Sequence, residues 1–152
     1  MGIWTSYRLR WQRKRWRARA LRKGRELKAV TDRTGQIAPD DILLFCTFRN
    51  EDVRLPFFFD YYRKLGINHF LMIDNGSEDA GRAFAMQQPD VSVWSTDAPY
   101  GEARYGVDWL TYLQGKYADG HWALTVDVDE FFVYPFCDTR PIRALADWLD
   151  AS

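Results

Sequence analysis

Four short apolar runs of strand length alternate along this chain with stretches of helical spacing. The apolar runs span residues 42–48, 69–73, 91–94 and 122–128. The helical patterns cover residues 55–65, a short stretch ending near residue 88, residues 105–117 and residues 141–149. Strands that alternate with helices in this way are typical of an α/β layered domain with a mainly parallel sheet. The sequence therefore predicts that fold class.

Polar residues follow three of the predicted strands, in the stretches 47–51, 74–79 and 127–130. Right-handed crossovers place the carboxyl ends of parallel strands at one edge of the sheet. Ligands of such sheets bind at that edge. We therefore expect the three polar stretches to lie close together and to form a ligand site.

The last of these stretches holds three carboxylates within four residues, Asp127, Asp129 and Glu130. If the strand continues through them, Asp127 and Asp129 share one face, because strand side chains alternate. Adjacent carboxylates repel each other unless a cation lies between them. Oxygen ligands suit Mg²⁺ or Mn²⁺, with phosphate oxygens and water completing the coordination. The pattern predicts a metal site at a strand end, and a solvated strand end without a ligand is the alternative.

Charge is distributed unevenly along the chain. Residues 1–28 contain eleven Lys or Arg and one acid, so their net charge is +10 and that of residues 29–152 is −10. This asymmetry predicts a boundary between a basic segment with its linker, residues 1–38, and a body, residues 39–152.

The basic segment has the spacing of a helix, with Trp4, Tyr7 and Trp11 on one side among the cations. Such a helix can lie on an anionic membrane surface or follow a nucleic-acid backbone. It can equally be an exposed helix without a partner. We expect no nucleic acid, because the acidic body would repel phosphate. The segment lacks the apolar region of a secretory signal.

The two cysteines, Cys46 and Cys137, lie far apart and form no metal-ligand or disulfide pattern. No apolar run approaches the length of a membrane span. We therefore expect a cytoplasmic protein, with peripheral attachment to the inner face of the membrane as an option.

Three segments together resemble the nucleotide-sugar glycosyltransferases of the family 2 type, in particular a bacterial subgroup with a DxDEF strand. The segments read CTFRNE, FFFDYYRKLGINHFLMIDNGSEDA and HWALTVDVDEFFVYP, and the resemblance covers roughly residues 40–150. It implies a GT-A fold, which is Rossmann-like, and transfer of a sugar from a nucleoside diphosphate to an acceptor with Mn²⁺ or Mg²⁺. A glycan or a lipid-linked glycan is the kind of acceptor that it suggests.

The resemblance also implies roles for individual residues. Asp127 and Asp129 match the DxD motif that holds the metal, the first leaning towards the ribose. Asp74 matches the acid that holds uracil or ribose, and Arg104 matches a basic residue near the phosphates. The positions expected to bind the nucleotide sugar are Thr47, Asn50, Glu51, Asp74, Arg104 and Asp127. Glu130 has no matching role.

The sequence departs from the family pattern after the DxD strand. Only about twenty residues follow Glu130, whereas the family continues into a half that binds the acceptor and supplies the base of inverting transfer. We therefore expect a domain that is incomplete at its C-terminus and supplies the donor half. No residue is identified as the catalytic base.

Two other classes of function remain open. A non-catalytic nucleotide-binding or membrane-tethered module would suit a donor half alone. A haloacid-dehalogenase-type phosphohydrolase also has an apolar strand ending in Asp-x-Asp. That family places this strand early and follows it with Thr or Val, whereas here three strands precede it and Phe131 follows.

Overall fold

The computed structural model describes the backbone of residues 3–152 and the side chains of residues 8–152. The described backbone forms five α-helices and five strands. In chain order these are α1 (Ile3–Lys23), β1 (Lys28–Thr31), β2 (Leu43–Phe48), α2 (Leu55–Leu65), β3 (His69–Asp74), α3 (Gly81–Gln87), β4 (Val91–Ser95), α4 (Val107–Tyr117), β5 (Ala123–Thr125) and α5 (Ile142–Asp150).

The strands form one sheet in the order β1-β4-β3-β2-β5. The pairs β4–β3, β3–β2 and β2–β5 are parallel, and β1 pairs antiparallel with β4 at the edge. The predicted α/β class with a mainly parallel sheet is confirmed, and this strand order is compatible with a Rossmann-like fold.

The two central strands are buried on both faces, which explains why their sequences are almost continuously apolar. Five of the six residues of β2 and all six of β3 are buried. Alternate side chains of β2 enter two separate cores. Leu44 and Cys46 pack in the core that includes residues of α2, α3 and α5, whereas Leu43 and Phe45 pack with residues of α4.

Helix α2 shows how the local sequence sets an element's bounds. Pro56 lies in the first turn, where the missing N–H has no cost, and Gly66 ends the helix with a left-handed φ of 106°. Its buried stripe includes Phe58, Phe59 and Tyr62. Burial of side chains of this size stabilises a fold by about 1.5–3 kcal/mol each.

The N-terminal region is more structured than the sequence indicates. Residues 28–31, which the sequence analysis places in a linker, form the edge strand β1. Trp11 lies in α1 and is exposed, whereas the side chains of Trp4 and Tyr7 lie outside the described residues. Among the described residues, no helix combines the length and the apolar character needed to cross a membrane.

Strand β5 is shorter than predicted. It ends at Thr125, so the prediction that Asp127 and Asp129 share the face of a strand is wrong. The chain turns there instead, because the Glu130 N–H donates to the Asp127 carbonyl at 3.1 Å. The Asp127 N–H donates in turn to Glu130 Oε2 at 3.3 Å.

Candidate functional site

The neighbouring strands β2 and β5 mark the point where the strand order reverses. From β2 the chain moves through β3 to β4 on one side, and it then crosses back to place β5 on the other side of β2. At such a reversal an open α/β sheet can form a crevice at the carboxyl ends of its strands, although the segments after β2 and β5 here pack on the same face of the sheet. Ligands of open α/β sheets bind in that crevice.

A cavity of about 280 Å³ lies at this position. It is lined by Thr47, Phe48, Arg49, Glu51, Asn75, Tyr100, Asp127, Val128 and Asp129. Four of the residues expected from the sequence therefore meet at one cavity, namely Thr47, Glu51, Asp127 and Asp129.

Three larger clefts among the described residues have other surroundings, and one of them, of about 370 Å³, is formed by α1 residues, namely Gln12, Arg15, Trp16, Arg19 and Arg22. The remaining two lie against other elements. One, of about 390 Å³, lies against α5 and is lined mainly by apolar side chains, with Arg140 as its only charged residue. The other, of about 490 Å³, lies before β2 and β5 and includes Asp41 and His121, at the opposite edge of the sheet. Neither lies at the carboxyl ends of the strands.

Carboxylates give the site a strongly negative potential. Burial raises the pKa of Asp127, and the negative charges of Glu130 and Asp129 raise it further. Burial also raises the pKa of the Cys46 thiol well above its ordinary value, with additional effects from Asp127, Glu51, Asp129 and Glu130. The site therefore favours a cation.

The two aspartates at the cavity limit the kind of metal site that is possible. No group of three or more His, Cys, Asp or Glu within residues 8–152 is arranged to hold a metal ion. Mg²⁺ commonly uses one or two carboxylates, and phosphates of the ligand and water supply the rest. Asp127 and Asp129 fit a metal of that kind, and they do not fit one held by the protein alone.

Glu51 lines the cavity, but its carboxylate already has a partner. Glu51 Oε2 accepts from Arg54 Nη1 at 2.6 Å. Its backbone carbonyl also accepts from the N–H groups of Arg54 and Leu55 at the start of α2. Glu51 thus fixes the loop after β2, and its paired carboxylate makes it a weaker cation ligand than the two aspartates.

Thr47 and Gly106 form a close contact beside the cavity. The Thr47 hydroxyl is buried and has no hydrogen-bond partner among the described residues. A Cβ on Gly106 would lie 3.0 Å from Thr47 Oγ1 and 3.0 Å from Tyr100 Cε2, and the φ of Gly106 is +81°. Glycine is therefore required here, and it directly precedes Val107, the first residue of α4. The N–H groups of a helix's first turn favour anions.

Asp74 and Asn75 follow β3 and have different environments. Asp74 is fully buried and does not line the cavity. Its Oδ1 accepts from the Ser77 N–H at 3.1 Å, and its Oδ2 lies 3.4 Å from Arg82 Nε without a hydrogen bond. Asn75 lines the cavity, and its amide donates to the carbonyls of Thr96 and Ala98. Asp74 therefore shapes the turn, and Asn75 is the residue of this stretch at the site.

Asn50 connects two loops at the sheet edge and does not line the cavity. Its N–H donates to Ser77 Oγ at 2.9 Å, and its Oδ1 accepts from the Glu78 N–H at 2.8 Å. Its φ of 56° is left-handed, which Asn tolerates better than most residues. Its contacts hold the loop after β2 against the loop after β3.

Arg104 does not line the cavity either. Its guanidinium makes two hydrogen bonds to Asp108 Oδ1, at 2.9 and 2.5 Å, and lies over the ring of Trp16 at 5.7 Å. Asp108 is fully buried and also accepts from Arg19 Nε at 2.7 Å. Arg104 thus helps to hold α1 against α4, which differs from the phosphate contact that the family resemblance implies.

Five cavity residues are not among the individual positions expected from the sequence, namely Phe48, Arg49, Asn75, Tyr100 and Val128. All except Tyr100 lie within the three polar stretches that the sequence places at the site. Arg49 directly follows β2 and Asn75 directly follows β3, so their position after a strand indicates that they lie at this edge of the sheet. Tyr100 comes from the long loop after β4, and burial followed by the charge of Asp127 raises its pKa. Nothing local in the sequence marks it.

No protein-family model matches the chain, and no curated protein matches it significantly. The residues of the site are therefore the basis for any function proposed for this chain.

Proposed function

We propose that this chain supplies the donor site of a metal-dependent glycosyltransferase with a GT-A fold. In this proposal the cavity between β2 and β5 binds the nucleoside diphosphate of a nucleotide sugar. The observation that carries the proposal is the meeting of Asp127 and Asp129 with Thr47 in a cavity at the reversal of strand order.

The charges of the site suit a diphosphate only together with a cation. A diphosphate alone would be repelled by Asp127, Asp129 and Glu130, whereas a divalent ion held by the two aspartates would attract it. When bound, such an ion stabilises the charge that develops on the leaving diphosphate. The two aspartates would hold the ion, with Glu130 adding negative potential.

Neutral groups of the cavity suit the nucleoside. Thr47 lines the cavity, and its buried hydroxyl lacks a partner among the described residues. Asn75 is held in place by its two bonds to the backbone carbonyls of Thr96 and Ala98. Tyr100 lines the same cavity and offers an aromatic ring beside it.

A thermal-shift series with UDP, GDP and their sugars, each with and without Mn²⁺, tests the proposal. We expect Mn²⁺ alone and nucleotide alone to have small effects, because the protein offers only two ligands to the metal. Together they should stabilise the chain. A ligand at about 100 times its Kd contributes about 2.7 kcal/mol, which raises the Tm by about 5–10 °C.

The variant Asp129→Asn should abolish the joint effect. Its matched control is Asp147→Asn, which removes one exposed carboxylate from α5, away from the cavity. The proposal fails if no nucleotide gives metal-dependent stabilisation, or if both variants respond like the unchanged chain.

A turnover assay separates transfer from binding alone. A donor site of a transferase should release UDP or GDP from its sugar in the presence of Mn²⁺, at least slowly with water as acceptor. A non-catalytic nucleotide-binding module would show the thermal shift without this release. The Asp129→Asn variant serves as the blank for the assay.

A further inference from the structure

The inner side of helix α1 faces the body of the protein. Ala20 and Gly24, at the C-terminal end of the helix and directly after it, are buried. Arg19 pairs with Asp108 at 2.7 Å, and Lys23 pairs with Glu26 at 2.8 Å and with Glu102 at 3.5 Å. These contacts fix the rotation of the helix about its own axis.

The opposite side of the helix carries a different set of side chains. At 100° per residue, Arg10, Lys14, Arg17 and Leu21 form one stripe, with Trp11 beside it. All five are exposed, Trp11 by 64% and Leu21 by 63%. None of the three cations forms an ion pair with any residue whose side chain is described. We refer to these five residues as the outer face.

We propose that the outer face of α1 docks on the surface of an anionic lipid bilayer. Each Lys or Arg close to such a surface increases the binding constant about fivefold. Trp11 and Leu21 can enter the boundary between headgroups and acyl chains, where an indole ring is favoured. Two apolar side chains are too few for deep insertion, so the attachment is electrostatic and reversible.

The composition of the outer face favours a bilayer over nucleic acid. A nucleic-acid backbone would use the cations but would gain little from the exposed Leu21. Residues 29–152 carry a net charge of −10, which opposes the wrapping of a phosphate backbone around the body. A flat surface can be met by one helix alone, with the carboxylates that pair with α1 on the side of the helix away from that surface.

Co-sedimentation with vesicles tests this proposal without any nucleotide, so its outcome is independent of the proposed function. The full chain is mixed with vesicles of phosphatidylcholine alone or with an equal part of phosphatidylserine. The test variant is Arg10→Gln/Lys14→Gln/Arg17→Gln. Gln retains the helix propensity of the residues that it replaces.

The matched control is Lys28→Gln/Lys64→Gln/Lys116→Gln, which removes the same charge from positions outside α1. We expect the unchanged chain and the control to bind the anionic vesicles. The outer-face variant should bind about 100-fold more weakly, at about fivefold for each of three charges. Binding should also fall between 0.1 M and 1 M NaCl, where the screening length shortens from about 10 Å to about 3 Å.

Equal binding to neutral and anionic vesicles would overturn the proposal, as would equal losses in the test and control variants. A competition experiment adds double-stranded DNA or single-stranded RNA to the mixture of chain and vesicles, at the same phosphate concentration as the vesicles. If either nucleic acid displaces the chain from the vesicles, the outer face is a nucleic-acid surface instead. Thermal melts of both variants verify that each is folded.

Discussion

The carboxylate of Asp108 holds helix α1 against α4, and replacing it by Asn should loosen that contact. Asp108 is fully buried and accepts hydrogen bonds from both Arg104 and Arg19. The side chain of Asn has nearly the same shape but no charge. The variant Asp108→Asn therefore removes the ionic part of the interaction and leaves two guanidinium groups without their anion.

The size of the effect follows from the exposure of the partners. Removing one partner of a fully buried ion pair costs about 3–5 kcal/mol. Here the side chains of Arg104 and Arg19 are 34% and 40% exposed, so water solvates them in part. We therefore expect a loss of about 2–3 kcal/mol. For a domain of this size that lowers the Tm by about 4–12 °C.

The loss should depend on pH in a defined direction. Burial alone would raise the pKa of Asp108, but the hydrogen bonds from Arg104 and Arg19 outweigh it and lower the pKa. As the pH falls, the unfolded carboxyl takes up its proton first, near pH 3.9, while the folded one stays ionised. The stabilisation is complete above that value and is lost as the pH falls through the lower, folded pKa.

Urea denaturation of the wild-type chain and of Asp108→Asn at several pH values measures this. The difference in free energy of unfolding should be constant between pH 8 and 5 and should shrink below about pH 4. Trypsin should also cleave α1 faster in the variant at neutral pH, because the helix is less firmly held. An unchanged free energy of unfolding, or a difference that grows in acid, would show that the Asp108 carboxylate does not stabilise the contact between α1 and α4.

Three further predictions concern single residues. Gly106→Ala should destabilise the fold by at least about 1–2 kcal/mol, measured by denaturation, because a Cβ at φ +81° is strained and would crowd Thr47 and Tyr100. Thr47→Val should leave stability unchanged or raise it by about 1 kcal/mol, because it removes an unpartnered buried hydroxyl, and calorimetry should show weaker nucleotide binding. His69 is buried against Ser92 Oγ at 2.9 Å and burial lowers its pKa, so stability should fall as the pH drops from about 6.5 towards the folded pKa. His69→Gln should remove this fall in the free energy of unfolding, measured by urea denaturation at several pH values. An unchanged pH dependence would show that His69 is not its source.

The sheet and its main helices are predictable because their signals are local. The apolar runs of β2 and β3 and the Pro56 and Gly66 boundaries of α2 need only neighbouring residues for their interpretation. Strand β1 has no such signal. It is exposed along most of its length, and its pairing with β4 joins residues more than sixty positions apart.

The site is only partly predictable, because some of its residues are placed by local signals and others by contacts between distant parts of the sequence. Thr47 lies near the carboxyl end of β2, and Asp127 and Asp129 follow β5, so the direction of the sheet brings them together. Arg104 is different, because its partner Asp108 is also bound by Arg19 from α1, a contact over 89 positions of sequence. The contact of Asp108 with Arg19 could not be read from the local pattern, whereas the i,i+4 pair with Asp108 is local and engages the guanidinium of Arg104. Tyr100 reaches the cavity through the long loop after β4, whose conformation the sequence does not define.

In the proposed function, a nucleotide and a divalent ion bind together between β2 and β5. Paramagnetic broadening of backbone amide signals by Mn²⁺, recorded with and without UDP or GDP, locates the ion directly. We expect the nucleotide to make broadening appear at the residues of the turn Asp127–Glu130 and at Thr47, and Asp129→Asn to abolish it. Broadening centred on Asp41 and His121 at the opposite edge of the sheet, or broadening that the nucleotide does not change, would contradict the proposed function.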